Sequence, residues 1–134
     1  MPRYFTPDEA NTALEQVRPL VEQLVEHRRD QQRAHDALRE LESKIAGNGG
    51  EIDAQQLADL AAALDQARVA VAQCVNRIHG LGAIVKDLDS GLVDFPARYR
   101  GEEVLLCWRL PEPEVAFWHG LDEGFAGRKP LPFE

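Results

Sequence analysis

The chain has 134 residues, of which 44% are hydrophobic and 28% charged, and 15 Lys and Arg stand against 23 Asp and Glu for a formal net charge of -8. This length and composition predict one globular domain over residues 1–134 and exclude an intrinsically disordered chain. The acidic balance argues against nucleic acid as a partner, because affinity for phosphate backbones requires clustered Lys and Arg.

The cysteines and the apolar segments restrict the cellular setting. Cys74 and Cys107 are too few and too far apart for a disulfide framework or a zinc ribbon, so free thiols in a reducing cytoplasm are expected. The N-terminal sequence has no apolar segment typical of a signal peptide, and no run approaches the roughly 18 apolar residues of a membrane span. We therefore expect a cytoplasmic protein that does not associate with membranes.

The N-terminal half begins with a helix-start signal. Thr6 is a suitable N-cap, and Glu9 is placed to complete a capping box with it. Apolar residues then recur at intervals of three and four, which predicts a helix over residues 7–46 that ends at a Gly-rich stretch.

A second helix is predicted over residues 53–88, with Asp53 as its N-cap. Apolar positions alternate at intervals of three and four along the whole segment, as in a coiled coil, and Cys74 lies among them as a core residue. Two long helices with a short connection predict an antiparallel helical hairpin. Its remaining apolar surface requires the C-terminal half, a second copy of the chain, or both.

From residue 91 onward the helical periodicity stops, and Gly, Pro and aromatic residues become frequent. The segments 92–95, 102–110 and 115–119 are strand candidates, the first of them ended by Pro96. We predict a small antiparallel β-meander of two or three strands and an extended tail over 91–134. The expected fold class is therefore α+β, mostly α, with the meander at the C-terminal end of a long antiparallel helical hairpin.

The pairing of the last two strands decides which side chains meet. In the register that we favour, Trp108 lies opposite Phe117 and Leu106 opposite His119, whereas Cys107 lies on the other face of the sheet. This separation argues against a catalytic cysteine, because His119 is the suitable base nearest to Cys107 in the sequence.

Four motifs are specific enough to compare with a known family: FTPDEAN at 5–11, GLVDFPA at 91–97, VLLCWRL at 104–110, and WH followed by LDEGFAGRKPL at 118–131. Together they resemble the bacterial family called domain of unknown function 2203. The resemblance implies a helical hairpin that carries a small C-terminal module, and it implies no established activity or cofactor. One departure from the family pattern is Pro111 and Glu112, where Gly and Glu are expected.

Polar residues suited to ligand binding concentrate around the CW and WH sequences. The candidate ligand-binding residues are Asp94, Arg109, Glu112, His119 and Arg128. Glycines close to Arg128 suggest a small anion-binding nest, although they match no phosphate-loop pattern.

A metal site would use His79 and His119 with a carboxylate, and Cys107 as a further ligand, because imidazole and thiolate suit zinc and other late transition metals. The spacing of these residues matches neither HExxH nor CxxC. The sequence by itself therefore identifies no metal site, no cofactor and no catalytic residue.

Two functions fit these features. The first is a non-catalytic interaction or scaffold protein that forms a homodimer and presents helix faces to a protein partner, as the long amphipathic helices indicate. The alternative is a small-ligand or metal-binding protein, an enzyme among the options, with a pocket between the hairpin and the CWRL and FWH strands. Convergence of Asp94, Arg109, Glu112 and His119 on one pocket would favour this alternative.

Overall fold

The computed structural model describes residues 3–47 and 53–133. Two helices come first, α1 over Pro7–Gly47 and α2 over Ala54–Gly80. Five strands follow, β1 over Ile84–Asp87, β2 over Leu92–Tyr99, β3 over Glu102–Arg109, β4 over Phe117–Gly120 and β5 over Lys129–Pro130, with a 3₁₀ turn at Phe125–Gly127. The strands form one antiparallel sheet in sequential order. The predicted fold class, α+β and mostly α, is confirmed.

Both helices begin with the caps that the sequence predicts. The Thr6 backbone N–H donates to Glu9 Oε1 at 2.9 Å, and the Glu9 N–H donates to Thr6 Oγ1 at 3.1 Å, which closes the capping box. Asp53 accepts the backbone N–H groups of Gln55 and Gln56 at the start of α2. The first helix ends one residue later than predicted, and the Gly-rich connection at 48–50 lies outside the described residues.

The predicted second helix, 53–88, extends too far, because α2 ends at Gly80. Gly82 has a φ of +95°, and a Cβ on it would lie 3.0 Å from the Phe5 ring, so a glycine suits this reversal of the chain. Val85 and Leu88 continue the helical spacing, but they pack against the core from β1 and from the turn after it. Periodicity therefore misled the prediction, since a buried strand needs apolar residues as much as a helix does.

The sheet has five strands, not two or three, and its second strand continues through Pro96. Pro96 pairs with Leu105 in β3. Proline has no backbone N–H to donate, but the Pro96 carbonyl still accepts the Phe5 N–H at 2.7 Å, and the strand tolerates the missing N–H. The hairpin between β2 and β3 turns at Arg100 and Gly101, whose φ angles are 54° and +79°. Positive φ at both central residues is the geometry that matches strand twist in a two-residue hairpin loop.

The register between β3 and β4 differs by one residue from the predicted one. The observed partners are Val104 with Gly120, Leu105 with His119, Leu106 with Trp118, and Cys107 with Phe117. At the start of the connection between the two strands, the Trp108 indole donates to the Glu112 carbonyl at 2.8 Å. Side chains alternate along a strand, so a slip of one residue moves Cys107 and His119 to the same face. Their predicted separation on opposite faces is therefore wrong.

The two faces of the sheet have different surroundings. One face packs against the helices and contributes Val93, Phe95, Ala97, Val104, Leu106 and Trp108 to the hydrophobic core. The other face carries Asp94, Leu105, Cys107 and His119, all of which are buried. Arg128 lies over Phe117 on this second face. The buried polar groups of the sheet thus lie on the side away from the hairpin.

The helical hairpin extends past the part that packs against the sheet. Described residues of α1 after Ala34 and of α2 before Leu64 are exposed or half-buried. No helix within residues 3–47 and 53–133 is long and apolar enough to cross a membrane.

Candidate functional site

Three polar side chains meet on the sheet face away from the helices: Asp94 of β2, Cys107 of β3 and His119 of β4. Asp94 is the direct cross-strand partner of Cys107, and the corrected register brings His119 to the same side. The three residues are 2%, 0% and 3% exposed. Their potential ligand atoms all lie within 4.8 Å of one another. We call this group the triad.

The His119 ring has an unusual pair of neighbours. Nδ1 lies 2.8 Å from the Gly120 carbonyl oxygen, which only accepts hydrogen bonds, so Nδ1 carries a proton. Nε2 lies 3.2 Å from Asp94 Oδ1. In a neutral ring with its proton on Nδ1, the Nε2 lone pair would face the lone pairs of a carboxylate. The contact therefore requires a proton or another cation between Nε2 and Asp94.

The Cys107 thiol is unsuited to act as a free nucleophile. Burial first, and then the Asp94 carboxylate, raise its pKa to about 12, against a smaller opposing effect of Arg128. Reactive cysteines need a lowered pKa, because the thiolate is the nucleophile. The correction that brings His119 beside Cys107 thus gives no support to a catalytic cysteine, whereas a metal ion is able to displace the thiol proton.

Arg128 lies beside the triad, and one nitrogen of its guanidinium group has no hydrogen-bond partner among the described residues. Its side chain is 8% exposed, and Nη2 pairs with Glu112 Oε2. The rings of Phe117 and Phe125 lie 3.9 Å and 4.5 Å from the guanidinium carbon. Nη1 is buried and has no hydrogen-bond partner among the described residues. The Arg128 charge nevertheless acts on the Cys107 thiol.

The segment that carries Arg128 is held by Glu123. Glu123 Oε1 accepts the Gly120 N–H at 2.8 Å and pairs with the Lys129 ammonium group. These hydrogen bonds, the one from Lys129 first, lower the pKa of the Glu123 carboxyl. A Cβ on Gly127 would lie 2.6 Å from Glu123 Cβ, so the 3₁₀ turn approaches this residue only because position 127 is a glycine. The turn places Arg128 against the sheet.

The residues predicted from the sequence are only partly brought together. Asp94 and His119 are in contact, and Glu112 pairs with Arg128 next to them. Arg109 is exposed and lies outside the triad, where its guanidinium group stacks on Phe125 at 4.4 Å. The triad also lies on the outer face of the sheet, and not between the hairpin and the strands as expected.

His79 is placed away from the triad. It is exposed near the end of α2, where Nε2 lies 3.4 Å from the Val85 backbone nitrogen. Cys107, which the sequence-based hypothesis named as a further ligand, lies in the same group as His119 and Asp94, and His79 does not belong to that group. The sequence contained a signal for the triad. Asp94 is a charged residue inside the otherwise apolar strand LVDFPA, and such residues need a buried partner.

The chain matches the family model described as "Uncharacterized conserved protein (DUF2203)" over residues 3–131. The matched range includes the whole triad and Arg128. No curated protein and no solved structure matches the chain significantly. The resemblance seen in the sequence motifs is confirmed, and the chain belongs to the DUF2203 family.

Proposed function

We propose that this chain is a metal-binding protein that holds one divalent late transition metal ion, with zinc as the best fit, between Asp94, Cys107 and His119. The observation that supports it most directly is the contact of His119 Nε2 with Asp94 Oδ1 beside a buried thiol. A metal ion between these atoms removes the conflict between two hydrogen-bond acceptors, as a proton on Nε2 does in the metal-free chain.

The distance between His119 and Asp94 suits two ligands of a tetrahedral ion. Zinc binds imidazole nitrogen and carboxylate oxygen at about 2.0–2.2 Å, so two such ligands at a tetrahedral angle lie about 3.4 Å apart. His119 Nε2 and Asp94 Oδ1 are separated by 3.2 Å. The bond from Nδ1 to the Gly120 carbonyl fixes the ring and its tautomer, as outer hydrogen bonds do for most metal-binding histidines.

The ligand types and their charges favour the same class of ion. Thiolate and imidazole select zinc and its neighbours over magnesium and calcium, which prefer oxygen ligands. A divalent ion also balances the charge of the Asp94 carboxylate and of the Cys107 thiolate that forms when the ion displaces the thiol proton.

Metal content and cobalt spectroscopy test this function. Protein purified without chelators or metal-affinity resin is expected to carry metal by elemental analysis. Added Co²⁺ is expected to give the near-ultraviolet charge-transfer band of a cobalt–thiolate bond. Cys107→Ser should abolish this band, and His119→Gln should weaken Co²⁺ binding strongly.

Cys74→Ala is the matched control, because Cys74 is a buried free thiol in the hairpin core, away from the triad. This variant should keep the band. A wild-type protein that carries no metal and gives no band with Co²⁺ would contradict the proposal. A band that disappears in Cys74→Ala and persists in Cys107→Ser would contradict the assignment of the ligands.

A second candidate function is a homodimeric scaffold that binds a protein partner through the free part of the hairpin, in the reducing cytoplasm that two free cysteines suit. It is supported by apolar residues on the distal arms that are only half-buried: Leu38, Leu41, Ile45, Leu57 and Leu60. Association would cover them. Light scattering over a range of concentrations should show a dimer that Leu38→Gln weakens, and a monomer at every concentration would count against it.

A further inference from the structure

We propose that the metal centre takes a small oxyanion as its fourth ligand, with one carboxylate or phosphate oxygen on the metal and a second contact to Arg128 Nη1. This inference rests on the proposed metal site and specifies what that site binds.

The triad leaves one coordination position unfilled. Within the described ranges 3–47 and 53–133, the group that could hold an ion consists of Asp94, Cys107 and His119, without a fourth His, Cys, Asp or Glu. Zinc is almost always four-coordinate in proteins, and sites with three protein ligands keep the fourth position for an exchangeable ligand. An external ligand is therefore needed to complete the coordination of the ion.

Arg128 has a donor in need of an acceptor on the same face of the sheet as the triad. Its Nη2 is used by Glu112, while Nη1 is buried and has no partner among the residues that the structure describes. The guanidinium plane lies against Phe117, which is the cross-strand partner of Cys107, and against Phe125. These contacts keep Nη1 from turning to solvent. An oxyanion satisfies it, because the planar fork of arginine matches carboxylate and phosphate oxygens.

Burial limits the size of this ligand. The triad residues are at most 3% exposed, so only a small anion, or the carboxylate or phosphate end of a longer one, is a candidate for the fourth position. Formate and inorganic phosphate are suitable probes for the two kinds of oxyanion.

The test is a titration of the Co²⁺-loaded protein with sodium formate and, separately, with sodium phosphate, at fixed pH and constant ionic strength in chloride. The visible cobalt bands report the ligand at the fourth position. We expect a saturable spectral change with at least one anion, and the anion that produces it identifies the oxyanion class. Arg128→Met should weaken the apparent affinity for that anion by about 10- to 100-fold, as loss of an outer contact does in metal sites.

Arg109→Met is the matched control, because it removes an equal charge from an exposed side chain on the same Phe125 ring. It should change the affinity for the anion much less than Arg128→Met does. The Co²⁺ titration of each variant shows first that its centre still forms.

Two results would overturn the proposal of an oxyanion as the fourth ligand without contradicting the proposed metal site. One is a wild-type cobalt spectrum that neither anion changes, and the other is an equal response of wild type and Arg128→Met. Failure of wild-type protein to bind Co²⁺ at all would overturn the metal site itself and the oxyanion with it.

Discussion

Burial of the Cys107 thiol makes the stability of the metal-free protein depend on alkaline pH. The folded chain keeps the thiol proton up to a pKa of about 12, whereas the ordinary value for cysteine is 9.0. Above pH 9 the unfolded chain binds fewer protons than the folded chain, so the free energy of unfolding falls as pH rises. The stability that the buried, protonated thiol contributes is fully present below pH 9 and is lost progressively between pH 9 and about 12.

The size of the effect follows from the difference between the two pKa values. Each pH unit between the two pKa values corresponds to about 1.36 kcal/mol of stability. The loss is therefore about 4 kcal/mol over the whole interval and about 2 kcal/mol between pH 9 and 10.5. Other groups also titrate in this range. The informative quantity is therefore the difference between wild type and Cys107→Ala, since all other titrating groups are shared.

Urea unfolding in the presence of a chelator at pH 8, 9, 10 and 10.5 measures this difference. Wild type should lose about 2 kcal/mol relative to Cys107→Ala between pH 8 and 10.5. Cys74→Ala provides a comparison, because burial also raises the pKa of the Cys74 thiol, against an opposing effect of Arg77. A difference between wild type and Cys107→Ala that stays constant over this range would refute the conclusion that burial keeps the Cys107 thiol protonated.

Two glycine substitutions, with a third as a control, test the packing that shapes the fold and the site. Gly127→Ala places a Cβ 2.6 Å from Glu123 Cβ and should reduce the free energy of unfolding by about 1–3 kcal/mol, whereas Gly47→Ala, which meets no atom within 4 Å, should not destabilise. Gly82→Ala combines a φ of +95° with a Cβ 3.0 Å from the Phe5 ring and should cost at least about 1–2 kcal/mol. Urea unfolding measures all three, and a Gly127→Ala variant as stable as Gly47→Ala would show that the turn does not need this close approach.

Local signals in the sequence were sufficient for the helical hairpin. The capping box of Thr6 and Glu9 and the Asp53 cap depend on residues within one helical turn of each other. The apolar periodicity of the two helices likewise reflects a single buried face. Such features are determined by neighbours in the chain and are therefore visible without a tertiary structure.

The end of the second helix was not visible in the same way. Val85 and Leu88 continue the helical spacing, and nothing in that spacing shows that the chain reverses at Gly82. The close approach of the Phe5 ring to Gly82 joins residues far apart in sequence, so only the tertiary structure reveals it.

The sequence by itself determined the hairpin, the two main strands and a set of polar candidates that includes Asp94 and His119. Only the tertiary structure decided that His119 joins Asp94 and Cys107 on one face of the sheet, because this depends on a register shift of one residue between β3 and β4. The physical reason is the two-residue repeat of a strand, since one step in register exchanges the faces of every side chain. The apolar residues of the two strands fit both registers in the sequence, so the step became visible only in the observed pairing.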